Sequence, residues 1–189
     1  MLFTLPELLN LAIVTVALGY IFMSYLPRVH PSDPLSRPSR FGIDKETFLL
    51  ALLVTAPAII LHELAHKFSA LALGLVATFK VWPFGLFLGV VLKWINSPLL
   101  ILAPGYVEIS GGATDFQVFL TALAGPLTNL LLWFISRQLL EHARKLSRKQ
   151  AIALYLTKQI NLFLFLFNMI PLPPLDGSKV FYSLFKMIT

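Results

Sequence analysis

Apolar residues fall along this chain in long runs separated by short polar stretches. A helix needs about 20 apolar residues to cross roughly 30 Å of hydrocarbon. Four runs reach that length and are predicted to be transmembrane helices: Leu5 to Leu26, Phe48 to Leu75, Phe116 to Ile135 and Ala151 to Ile170. The first has no basic stretch ahead of it and is apolar well beyond a signal-peptide core, so it is expected to be a retained span. Between the first two runs, PRVHPSDPLSRPSRFGIDKE holds four prolines and mixed charge, which predicts an irregular loop with Asp44 as N-cap of the helix that follows. Pro57 is placed to kink the second helix. Pro171, Pro173 and Pro174 end the fourth run.

A fifth apolar run, Phe84 to Ala103, is long enough to span but contains Gly85, Gly89, Lys93, Asn96 and Pro98 and leads into the strand-like APGYVEISGG. It is read as interrupted, with Lys93 snorkelling to the interface. The predicted fold is therefore an all-α polytopic membrane protein. It has about four transmembrane helices, a re-entrant or β-hairpin segment and a short C-terminal helix, forming a single domain over residues 1–189.

Composition strengthens this picture. Of 189 residues, 57% are hydrophobic and 13% charged, against about 25% charged in a soluble domain. Much of the surface therefore faces a bilayer. The net charge of +6 could suggest nucleic acid, but the basic residues concentrate in Arg28 to Lys45 and Arg137 to Lys149, as in loops beside an anionic membrane surface. No nucleic-acid partner is expected. Cysteine is absent, which removes disulfides, thiolate nucleophiles and cysteine-bound zinc. Any metal must rest on His, Asp and Glu.

The second run contains LHELAHKF, with His62, Glu63 and His66. Helix positions i and i+4 share a face, so both imidazoles can hold one metal while Glu63 reaches water as a general base. In a soluble helix such a match is often accidental. In a membrane helix a buried charge costs roughly 2.5 to 3.5 kcal/mol, so Glu63 between two histidines implies a purpose. Catalytic zinc takes three protein ligands and leaves one position open. Among the remaining acids Asp176 stands out, in NMIPLPPLDG, where prolines free the backbone and Gly177 allows a tight turn. The plainer alternative is a helix-terminating loop with an N-cap aspartate. His62 and Asp176 can share a metal only if the second and fourth spans run in the same direction. Leu75 to Asp115 must then make no net crossing, and Phe84 to Ala103 is expected to be re-entrant or partly inserted.

HELAH in an apolar helix, AGPLTN in a later one and N-x-x-P-x-P-P-L-D-G near the end together resemble the site-2 protease family of intramembrane zinc metalloproteases, over roughly Thr47 to Lys179. The resemblance implies one Zn2+ per chain on His62, His66 and Asp176, with Glu63 as catalytic base and a catalytic core of about residues 47–179. It places Asn129 and Asn168 near the active site, as oxyanion donors or substrate-backbone partners; helix-to-helix hydrogen bonding is the structural alternative. That family has a membrane-associated β-hairpin after the HELAH helix, which APGYVEISGG could match, and Tyr106 to Ser110 could hold an unwound substrate by strand addition. Gly125 and Pro126 are expected to allow close packing against the metal helix. No PDZ or nucleotide-sensing domain accompanies the motifs, so regulation by one is not implied.

The function this implies is zinc-dependent endopeptidase action on peptide bonds within or near transmembrane segments, that is, regulated intramembrane proteolysis by a multi-pass protein of the cell membrane. Its partners are transmembrane protein substrates and the lipid bilayer. The alternatives are a catalytically silent homologue serving as a membrane scaffold, for which Glu63 has no use, and a metal transporter, which needs ligands at several depths. Orientation is left with two opposed expectations. Loops 27–46 and 137–150 carry four and five Lys plus Arg, which by the positive-inside rule makes their face cytoplasmic, whereas the resemblance puts the HELAH end there.

Overall fold

The computed structural model describes residues 2–26, 43–97 and 104–189. The basic loop expected after the first span, and the end of the fifth apolar run including Pro98, lie largely outside the described residues. The chain forms two compact units, one of residues 1–56 and 80–106, the other of residues 57–79 and 107–189.

In the first unit, helix α1 (Leu5–Phe22) starts at a capping box in which Thr4 accepts from the Glu7 amide and Glu7 Oε2 accepts from the Thr4 amide at 2.9 Å. Helix α2 (Lys45–Ala72) contributes its first half here. Asp44 caps it as expected, accepting from Thr47 N at 3.0 Å. Gly19 lets α1 meet α2 closely, since a Cβ there would strike Leu52 and Phe48. Helix α3 (Pro83–Trp94) is the helical part of the fifth apolar run among its described residues. Its 12 residues extend about 18 Å, too short to cross a bilayer.

Lys93 does not snorkel. It is 2% exposed, and its Nζ donates to the Tyr20 carbonyl at 2.7 Å and sits 3.1 Å from the centroid of the Tyr20 ring. The last-turn carbonyls of α1 lack helical partners and carry the negative end of the helix dipole, so they solvate an ammonium in place of water.

The strands β1 (Val76–Val81) and β2 (Gly105–Ser110) pair as a two-stranded sheet. Trp82 N, just past β1, donates to Pro104 O, just before β2, at 3.0 Å, so the strands run antiparallel. The hairpin expected within APGYVEISGG is thus a sheet in which that segment supplies one strand only. Its partner VATFKV, not assigned from the sequence, has buried Ala77 and Phe79 alternating with more exposed neighbours, as a β-branched and aromatic run does in a half-buried strand.

The second unit holds the rest of α2 with α4 (Asp115–His142), α5 (Arg148–Asn168) and α6 (Asp176–Ile188). Capping boxes Thr114 with Gln117 and Ser147 with Gln150 start α4 and α5. The short link between them makes these helices antiparallel neighbours. Gln117 Nε2 also donates to Leu73 O at 3.0 Å, tying the start of α4 to the end of α2.

Helices α1, α2, α4 and α5 are long and apolar enough to cross a membrane. Large apolar side chains such as Leu131 and Phe163 point outward, 56% and 58% exposed, while His62, His66, Asn129 and Asn161 are buried. Hydrocarbon solvates the former, whereas the polar groups need partners inside the protein. The fold is that of a mostly helical polytopic chain with four candidate spans, a two-stranded sheet and a C-terminal helix.

Candidate metal centre

Three imidazole and carboxylate atoms meet in the second unit. His62 Nε2 lies 3.0 Å from His66 Nε2, and Asp176 Oδ2 lies 3.1 Å and 3.2 Å from the two nitrogens. His62 and His66 are one helical turn apart on α2, so both rings lie on one face, set edge to face with centroids 4.6 Å apart. Asp176 comes from the first turn of α6. It is not the N-cap: Leu175 holds that position without a side-chain bond. Nor does Gly177 serve a turn. A Cβ there would lie 2.5 Å from the Met169 carbonyl carbon, so glycine lets α6 begin against the end of α5 and carry Asp176 to the histidines.

The outer nitrogens of both rings are engaged. His66 Nδ1 lies 2.7 Å from the Thr121 carbonyl, which can only accept, so this nitrogen is the donor. His62 Nδ1 lies 2.7 Å from Asn129 Oδ1. The Asn129 Nδ2 donates to Ala58 O and to Asn161 Oδ1, each at 2.9 Å. With Nδ1–H on both rings, the Nε2 lone pairs converge on each other and on a carboxylate. Such a cluster of donors repels itself unless a cation, proton or metal, sits among them.

The donor set fits zinc. Two imidazoles and a carboxylate leave the fourth position of a catalytic site open, and ligand atoms on a tetrahedral zinc lie about 3.3 Å apart for bonds of about 2.0 to 2.1 Å. The observed triangle is slightly tighter. Gly125 leaves room beside it: a Cβ there would strike His66 Nε2 and the His62 ring.

These contacts also give the helix directions. From Ala58 to His66 along α2, the partners in α4 descend from Asn129 through Gly125 to Thr121. The two helices are therefore antiparallel, and α5, antiparallel to α4, runs with α2.

Glu63 follows His62 and is within electrostatic reach of His62, Asp176 and Lys179. Asn129 is fully buried with both ends of its amide bonded inside the protein. Asn168, the last residue of α5, is partly exposed. Sequence reasoning passed over Asn161, although a polar residue inside an apolar span is a signal in itself.

Residues 141–189 match the profile of peptidase family M50. Over 185 residues the chain is 35% identical to a candidate zinc metalloprotease of Methanocaldococcus jannaschii, covering 94% of this chain and 84% of that protein. It is 42% identical over 73 residues to another in Bacillus subtilis, covering 34% of this chain and 33% of that one. A third, from Synechocystis, is 32% identical over 142 residues, covering 75% of this chain and 32% of its own. No solved structure matches the chain at a comparable level.

Proposed function

The chain belongs to peptidase family M50, the site-2 protease family, and from that premise we propose that it is a zinc-dependent intramembrane endopeptidase, a multi-pass protein of the cell membrane that cleaves within or near the transmembrane segments of other membrane proteins. The observation that carries the reading is the convergence of His62, His66 and Asp176 in a chain whose α2, α4 and α5 are all apolar enough to span.

His62, His66 and Asp176 would hold one zinc ion per chain. Zinc, when bound, supplies the Lewis acidity that polarises a scissile carbonyl and makes water nucleophilic near neutral pH. Glu63 takes a proton from the attacking water and returns it to the leaving amine, so each turnover leaves it unprotonated again. Asn129 and the Thr121 carbonyl orient the two imidazoles. With its amide committed inside the protein, Asn129 is assigned to holding His62 rather than to the oxyanion. Asn168 is left as the candidate donor to the developing oxyanion or to the substrate backbone.

A transmembrane substrate must unwind before its amides can react. Pairing with strand β2, around Tyr106 to Ser110, offers the extended conformation required.

The test is zinc content and cleavage of single-span reporter proteins by the purified chain and by Glu63→Gln in liposomes. Expected are near one zinc per chain in both and cleavage by the wild type only. Zinc-loaded wild type that cleaves no reporter would overturn the reading.

A further inference from the structure

Asn129 is itself held by a residue that carries none of the three sequence motifs. Asn161, fully buried on α5, presents Oδ1 to Asn129 Nδ2 at 2.9 Å and donates from its own Nδ2 to the Thr157 carbonyl at 2.8 Å. We propose that Asn161 is a positioning residue for the metal centre, acting through Asn129 to fix the ring orientation and tautomer of His62. The inference rests on the zinc reading above.

The direction of the chain of bonds follows from what each end can do. A side-chain amide has one end that only donates and one that only accepts, so by itself it can be turned either way. Backbone carbonyls only accept. Thr157 O therefore claims the Nδ2 of Asn161, which turns its Oδ1 towards α4. That oxygen and Ala58 O, two acceptors, claim both protons of Asn129 Nδ2. Asn129 Oδ1 is thereby left facing His62, whose Nδ1 must be the protonated nitrogen. The His62 Nε2 lone pair then points to His66 and Asp176.

Without Asn161, Ala58 O alone opposes a turned amide. The turned state sets an NH2 group against His62 Nδ1 and favours the tautomer whose proton occupies Nε2, the position a metal needs. Three helices thus meet at one polar line: α5 through Asn161, α4 through Asn129 and α2 through His62.

The experiment uses the full chain in detergent, loaded with Zn2+ for affinity by chelator competition and with Co2+ for its visible absorption spectrum. Asn161→Leu, close in size and unable to accept, is expected to weaken Zn2+ binding roughly tenfold and to alter the Co2+ spectrum, in line with changes behind a metal-bound histidine. Asn161→Ala should do the same and serves if leucine is not accommodated. Asn161→Asp, which in its acid form keeps one acceptor and one donor, should restore both readouts to within about twofold of wild type.

A role confined to holding α5 against α4 would lower the melting temperature of Asn161→Leu while leaving Zn2+ affinity and the Co2+ spectrum unchanged, and that result overturns the inference alone. Wild type that binds no Zn2+ overturns the metal reading and the inference with it. A wild type that binds Zn2+ but cleaves nothing overturns only the protease reading, because neither readout depends on turnover.

Discussion

Asn129 Oδ1 on α4 lies 2.7 Å from His62 Nδ1 on α2, which ties the position of a third-span residue to the chemistry of the metal helix. The bond directs the opposite nitrogen of the same ring at His66 and Asp176. Asn129→Leu is expected to lower zinc affinity about 10- to 100-fold, the usual effect of removing the partner behind a metal-bound histidine. Chelator competition measures it; an affinity equal to wild type would mean that other contacts orient His62.

Gly125 is the residue over which both histidine rings lie. Gly125→Ala places a methyl group against His66 Nε2 and His62 Cε1, and neither ring can retreat without giving up its bond to Thr121 O or Asn129 Oδ1. The variant is expected to fold and to lose stoichiometric zinc. Metal analysis after gel filtration checks this, and one zinc per chain in a monodisperse variant would contradict it.

Metal removal should cost stability as well as activity. Zinc that binds only the folded chain stabilises it by about 2.7 kcal/mol at a hundred times its dissociation constant. Chelation is therefore expected to lower the melting temperature of the wild type but not of His66→Ala, which lacks a ligand. Equal shifts in both proteins would point to an effect of the chelator elsewhere.

Lys93 gives a prediction separate from catalysis. Lys93→Ala leaves the Tyr20 carbonyl without its ammonium partner, at an expected cost of about 1 to 3 kcal/mol. The melting temperature should fall while zinc affinity stays at the wild-type value, because Lys93 and Tyr20 belong to one unit of the chain and the metal cluster to the other. Reduced zinc affinity in the folded variant would refute that independence.

The parts of the fold legible in the sequence are those governed by local or solvent-driven rules. The cores of the spans containing Val14, Val54, Ala122 and Asn161 follow from the length of apolar sequence that hydrocarbon demands, and the Asp44 cap follows from side-chain chemistry within four residues. Boundaries moved where capping competes with hydropathy: α4 runs on to His142 because Arg137 and Glu141, bonded at 2.8 Å, support polar turns beyond the apolar run. Strand β1 was missed because its pairing partner lies beyond α3 in the chain, and sheet formation depends on that distant neighbour.

For the site, the sequence by itself determined which groups are candidates: two imidazoles on one helical face, a carboxyl group between them, and an aspartate just past a proline-rich stretch, because i to i+4 spacing and the absence of cysteine leave few ways to hold a metal in this chain. Only the tertiary structure decided that Asp176 Oδ2 reaches both histidines, that Gly125 clears the space beside them, and that Asn129 points inward at His62 with Asn161 behind it. Those outcomes depend on the register of α2, α4, α5 and α6 against one another. Register is set by the simultaneous satisfaction of buried donors and acceptors on separate helices, which no single stretch of sequence contains.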